Sequence, residues 1–74
     1  MNFEKIREII VDIISCAEEE VTPDTSLRQD LGIDSLDAME IAMAVEEKLG
    51  IAIPEEKLGD LEYVRDIVAL ADAA

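Results

Sequence analysis

Asp34-Ser35-Leu36-Asp37-Ala38-Met39-Glu40-Ile41-Ala42-Met43-Ala44-Val45-Glu46-Glu47-Lys48-Leu49-Gly50 decides the fold. Asp34 is a good helix cap, Gly50 is a stop, and no breaker lies between them, so residues 34–49 read as a helix. An advance of about 100° per residue from Ser35 puts Ala38, Ile41, Ala42, Val45 and Leu49 in one sector of roughly 240–340°. That is a core stripe. Leu36, Met39 and Met43 fall in a second sector, at roughly 40–100°, and Glu40, Glu46 and Glu47 flank it. A helix on the outside of a small bundle needs only one buried stripe. A second one, rich in adaptable methionine and bordered by acid, reads as a docking face for a basic partner. The bland alternative packs that stripe under the long loop that precedes it.

Outward from this helix the chain alternates between apolar periodicity and turn signals. Phe3, Ile6, Ile10, Ile13 and Ile14 keep helical spacing, which predicts an amphipathic helix over residues 2–15 with Asn2 as its cap. Residues 16–33 form a long connection, in which Val21, Leu27 and Leu31 are the anchors to the core. Thr22-Pro23-Asp24 is a turn signal. Ser26-Leu27-Arg28-Gln29 fits a capping box, which predicts one helical turn ended by Gly32. Beyond Gly50, Ile51 and Ile53 lead to Pro54, suited to the first position of a short helix ending at Leu58 or Gly59. A last helix over residues 62–73 turns Val64, Ile67, Val68 and Ala71 to one side. The expected fold is all-α: a small four-helix bundle with three longer helices, one short helix and a long first loop.

The 74 residues suffice for one domain, residues 1–74. A domain of this size buries only roughly 60% of the surface its unfolded chain exposes, so the core is thin. Six Lys and Arg against 19 Asp and Glu leave a net charge of −13. Nucleic acid and anionic membranes are therefore excluded as direct ligands. No unbroken apolar run exceeds five residues, too few to cross a bilayer. The chain opens on no basic-then-apolar leader, which gives the expectation of a cytoplasmic protein. With no His and one Cys there is neither a zinc finger nor a disulfide framework, and no metal site is expected. Cys16 reads as a buried, inert thiol, and Glu18, Glu19 and Glu20 as solvated loop. No basic residue stands between Arg28 and Lys48, whereas Asp30, Asp34, Asp37, Glu40, Glu46 and Glu47 all do.

Ser35 begins the central helix. As a nucleophile it would need a base, and the chain offers no imidazole and no Gly-x-Ser-x-Gly elbow. No catalytic residue is assigned, and the protein is not expected to be an enzyme. The bland reading makes Ser35 a helix-start residue. A hydroxyl at a helix N-terminus, however, faces free N–H groups and the positive end of the dipole, where a phosphate ester is well tolerated. Ser35 therefore suits a phosphodiester attachment made by another enzyme.

Asp34-Ser35-Leu36 resembles the Asp-Ser-Leu signature of acyl carrier proteins. The resemblance spans nearly the whole chain. It takes in Val21-Thr22-Pro23-Asp24, Asp30-Leu31-Gly32-Ile33-Asp34-Ser35-Leu36-Asp37, the acidic Val45-Glu46-Glu47 and Ile53-Pro54. It departs from the usual pattern at Ala38-Met39, at Glu62-Tyr63 and at Leu58. The resemblance implies a four-helix bundle whose Ser35 carries 4′-phosphopantetheine, installed from coenzyme A by a phosphopantetheinyl transferase, with Asp34 orienting Ser35. It implies acyl chains held as thioesters and presented to fatty-acid or polyketide enzymes with basic docking surfaces. By position it makes Leu36, Asp37, Met39, Glu40, Met43 and Glu47 the recognition face, and Glu46 borders the same stripe.

A thin core could open to admit the acyl chain, gaining up to roughly 0.8 kcal/mol per buried methylene. Candidate cavity residues are Ile41, Val45, Ile53, Leu58, Leu61 and Ile67. A monomer is expected. The alternatives are a peptidyl or D-alanyl carrier, and an unmodified acidic adaptor that docks a basic enzyme through the same helix.

Overall fold

The computed structural model describes residues 2–73. Three α-helices carry it: α1, Phe3–Ile14; α2, Ser35–Leu49; and α3, Val64–Ala73. Two short 3-10 helices complete it, Glu18–Glu20 in the first loop and Glu55–Asp60 between α2 and α3. The all-α bundle expected from the sequence is present, with the 3-10 segment Glu55–Asp60 as its short fourth helix.

α1 is the hub. Its Ile6, Ile9 and Ile10 are buried, and it packs against both α2 and α3. No Cα of α2 comes within 8 Å of one in α3. Side chains fill the seam between those two helices: Ile41 from α2, Ile67 from α3, and Leu27, Ile33 and Leu61 from the connections. Ala38, Ile41 and Ala42 set this seam against the first half of α2.

The long first loop is tied down at several points. Val21 and Leu27 are buried. Thr25 is the buried polar residue of the core, and its hydroxyl donates to the Glu20 carbonyl at 3.0 Å while accepting the Thr22 N–H at 2.8 Å. The loop backbone also docks on the start of α3. Leu27 N–H donates to the Glu62 carbonyl at 2.9 Å, Val64 N–H to Thr25 at 3.0 Å, and Arg65 N–H to Pro23 at 3.0 Å. Where the connection meets the core and α3, these backbone groups are thus paired, as burial requires. An exposed ion pair, Arg65 to Asp24 at 2.7 Å, lies over the same junction.

Several local expectations are corrected. Residues 26–31 form the one helical turn expected there, with Asp30 N–H donating to the Ser26 carbonyl at 3.1 Å, and it is not continued into a helix. Ser26 Oγ accepts the Gln29 N–H at 3.1 Å as a capping box requires, but Asp30, not Gln29, takes the Ser26 N–H. Asn2 precedes α1 yet makes no side-chain cap; its amide donates to Asp72 Oδ1 at 3.1 Å and ties the first helix to the last. α3 begins at Val64, because Glu62 and Tyr63 are extended against the loop and Tyr63 forms an isolated bridge with Ser26. The Glu18–Glu20 segment is solvated as expected but coiled into a 3-10 turn, with Glu20 accepting the Ala17 N–H at 3.2 Å. α1 ends on Ser15 in the left-handed region at φ 57°.

Candidate functional site

The connection 26–34 delivers Ser35 to the surface. Gly32 N–H closes on the Arg28 carbonyl at 3.2 Å, and its φ of +66° turns the chain in a conformation that favours glycine. Ile33 then points into the core, and Asp34 and Ser35 point out. α2 starts there with a reciprocal cap. Asp34 Oδ1 accepts the Asp37 N–H at 2.9 Å, and Asp37 Oδ2 accepts the Asp34 N–H at 3.5 Å.

That cap assigns Asp34 a definite task. Its carboxylate serves the helix backbone and fixes the first turn, of which Ser35 is the first residue. The Ser35 hydroxyl is exposed and makes no hydrogen bond among the described residues. The backbone N–H groups of Ser35 and Leu36 are likewise free there, at the positive end of a 15-residue helix. A phosphodiester on this hydroxyl meets free donors and a favourable dipole, so the residues fit the group.

The second stripe of α2 faces solvent. Leu36 is 70%, Met43 63% and Met39 42% exposed. Packing under the first loop is therefore not what this stripe does. Glu40, Glu46 and Glu47 are exposed beside it, and Asp37 is half-buried by its capping role. A groove of about 160 Å³ continues the face from Met39 and Met43 across to Ile53 and Leu58, with Glu46 and Glu55 on its walls.

Two apolar spaces lead inward from Ser35. The outer one, about 170 Å³, brings Ser35 and Asp34 together with Leu27, Ile33, Ala38 and Leu58. The inner one, about 10 Å³, lies in the α2–α3 seam and is lined by Ile41, Ile53, Leu61 and Ile67 together with Leu27, Ile33, Ala38 and Ala42. It is about as large as one water needs. Of the six expected cavity residues, four line the inner space. Leu58 stands at the outer groove, and Val45 is fully buried and lines neither. Leu27, Ile33, Ala38 and Ala42 were not among the expected residues.

Cys16 is half-buried rather than sealed, and burial and then the Glu20 carboxylate push its thiol pKa up, away from the reactive thiolate. No group of three or more metal-ligating side chains occurs among the described residues, and no helix there is long and apolar enough to cross a membrane.

A family model described as "Phosphopantetheine attachment site" matches residues 4–73. The chain is 50% identical over 64 residues to an acyl carrier protein of Treponema denticola, covering 86% of this chain and 82% of the relative. It is 42% identical over 66 residues to an acyl carrier protein of Campylobacter hominis, 89% of this chain and 84% of that one. It is 39% identical over 71 residues to an acyl carrier protein of Helicobacter hepaticus, 96% of this chain and 93% of that one.

Proposed function

The chain belongs to the acyl carrier protein family, and on that premise we propose that Ser35 is the residue that carries its 4′-phosphopantetheine. The protein is a carrier and not an enzyme. The prosthetic group supplies a thiol that holds an acyl chain as a thioester, and the protein works with enzymes that build or transfer such chains. The reading of Ser35 rests on its exposed hydroxyl at the free N-terminus of α2. A single domain of residues 1–74, acting as a monomer in the cytoplasm, is part of the same reading. So is a transferase that installs the arm from coenzyme A.

This chain's own residues have three tasks. Asp34 and Asp37 hold the first turn of α2 so that Ser35 stays presented. Leu36, Met39 and Met43 offer a dry patch to a partner, and Glu40, Glu46 and Glu47 attract its basic rim and set its register. Leu27, Ile33 and Ala38 line both the groove at Ser35 and the α2–α3 seam, and so mark an apolar path for an acyl chain. At about 10 Å³ the seam must widen to accept one. Separation of α2 from α3 is inexpensive in backbone terms because those helices share no close backbone contact. Methyl NMR signals of Ile41, Ile53, Leu61 and Ile67 should move on acylation, and unmoved signals would show the chain staying outside.

The test of Ser35 is direct. The protein is incubated with coenzyme A and a broad-specificity phosphopantetheinyl transferase, then weighed intact. A mass gain of one phosphopantetheine, absent in Ser35→Ala, supports the assignment. A gain that survives Ser35→Ala moves the attachment elsewhere.

A further inference from the structure

The structure points to a second residue acting on the arm, and we propose that Arg28 is a positioning residue that holds the phosphodiester at its root. The inference rests on Ser35 being the attachment point.

Among the described residues, the outer groove at Ser35 has one cationic side chain in its wall, Arg28. The other charged groups there, Asp34 and Glu55, are acids. Arg28 also lines a neighbouring polar cleft of about 340 Å³ with Gln29, Glu62 and Tyr63, so it stands on the ridge between the two spaces. Its backbone is held in place. Leu27 before it is buried and hydrogen-bonded to Glu62, and the Arg28 carbonyl accepts the Gly32 N–H. Its guanidinium is exposed and makes neither an ion pair nor a hydrogen bond among the described residues. By contrast, Arg65 pairs with Asp24 and lies over the Tyr63 ring, and Arg7 lies over the Phe3 ring.

Charge makes the position consequential. A phosphodiester at Ser35 adds a negative charge beside Asp34 and Asp37 in a chain already at −13. The helix dipole offsets part of that repulsion. A guanidinium fork matches the two non-bridging oxygens of a phosphodiester and stays charged at every accessible pH. Among the described residues lining the groove, Arg28 alone offers such a fork. Pairing there fixes the base of the arm at the mouth of the groove and leaves the remainder to swing.

The test compares apo and holo protein by ¹⁵N NMR of the arginine side chains. Intact mass and peptide mapping first establish that the arm is on Ser35; an arm found elsewhere refutes the Ser35 reading by itself, before any arginine signal is compared. With the arm in place, the Arg28 Nε–H signal is expected to move, whereas that of Arg65 stays. The change should shrink from low salt to 1 M, where the screening length is about 3 Å. The ³¹P signal of holo Arg28→Gln should differ from the wild type, and Arg28→Lys should return it part of the way. An Arg28 signal identical in apo and loaded wild-type protein overturns the proposal, whatever the variants do.

Discussion

Asp34 and Asp37 cap each other across the first turn of α2, each carboxylate accepting the other residue's backbone N–H, at 2.9 and 3.5 Å. One half of this device recurs at α3, where Asp66 accepts the N–H groups of Glu62 and Tyr63, both at 2.9 Å. It recurs in part at the first 3-10 turn, where Glu20 accepts from Ala17. In each case an acid inside the first turn reaches back to the residues before it. Part of the chain's large negative charge is therefore structural.

Asp34→Ala should lower stability by about 1 kcal/mol, the usual worth of a side-chain cap. It should also slow modification of Ser35, because a frayed first turn no longer fixes the hydroxyl. Asp34→Asn keeps an acceptor at the same place and should keep most of both. Thermal melts and the initial rate of phosphopantetheine transfer separate these outcomes. Equal rates for Ala and the wild type would mean that the cap does not present Ser35.

Asp66→Ala removes the acceptor for two backbone N–H groups at the start of α3. A loss of about 1 kcal/mol is expected, which lowers the melting temperature of a domain this size by roughly 4–8 °C. Amide exchange should accelerate at Glu62 and Tyr63 before it does at Ile67. Uniform acceleration along α3 would place the cap's contribution elsewhere.

The helices were legible because apolar side chains recur at helical spacing on α1, α2 and α3, and the place of Ser35 at the start of α2 was legible because Asp34 and Gly50 mark where that helix begins and ends. The start of α3 was not. Glu62 and Tyr63 are poor caps by residue type, and the true cap, Asp66, lies within the helix. The lining of the apolar α2–α3 seam was half legible for a related reason. Periodicity says that Ile41, Val45 and Ile67 face inward, but not which neighbour each one meets. Depth along the α2–α3 seam separates Ile41 and Ile67, which line it, from Val45, which does not. Leu27 and Ile33 come from a connection whose path is set by Thr25 and the backbone of Glu62, neither of which carries a periodic signal.

Leu36→Ala and Met43→Ala should leave stability within about 0.5 kcal/mol of the wild type, because both side chains are mostly exposed. Each should weaken docking to the transferase. An anchor at the centre of an interface is worth more than about 1 kcal/mol, so KM should rise at least about fivefold with kcat little changed. A melting temperature that falls with KM would show the stripe supporting the fold instead.

Salt should stabilise the fold. Nineteen carboxylates face six cations, and the one ion pair found among the described residues, Arg65 with Asp24, is too exposed to offset much repulsion. Screening shortens the reach of that repulsion from about 30 Å at 0.01 M to about 3 Å at 1 M, whereas the apolar core is indifferent to it. The melting temperature should therefore climb steeply at low salt and level off, and adding Mg²⁺ should raise it as well. Screening by Mg²⁺ follows ionic strength, whereas capture by one or two surface carboxylates saturates at fixed ionic strength. A melt recorded against NaCl, and against MgCl₂ at matched ionic strength, decides it. A flat response to both removes repulsion as a determinant of stability, and a saturable magnesium step would point instead to a discrete site assembled from the surface acids.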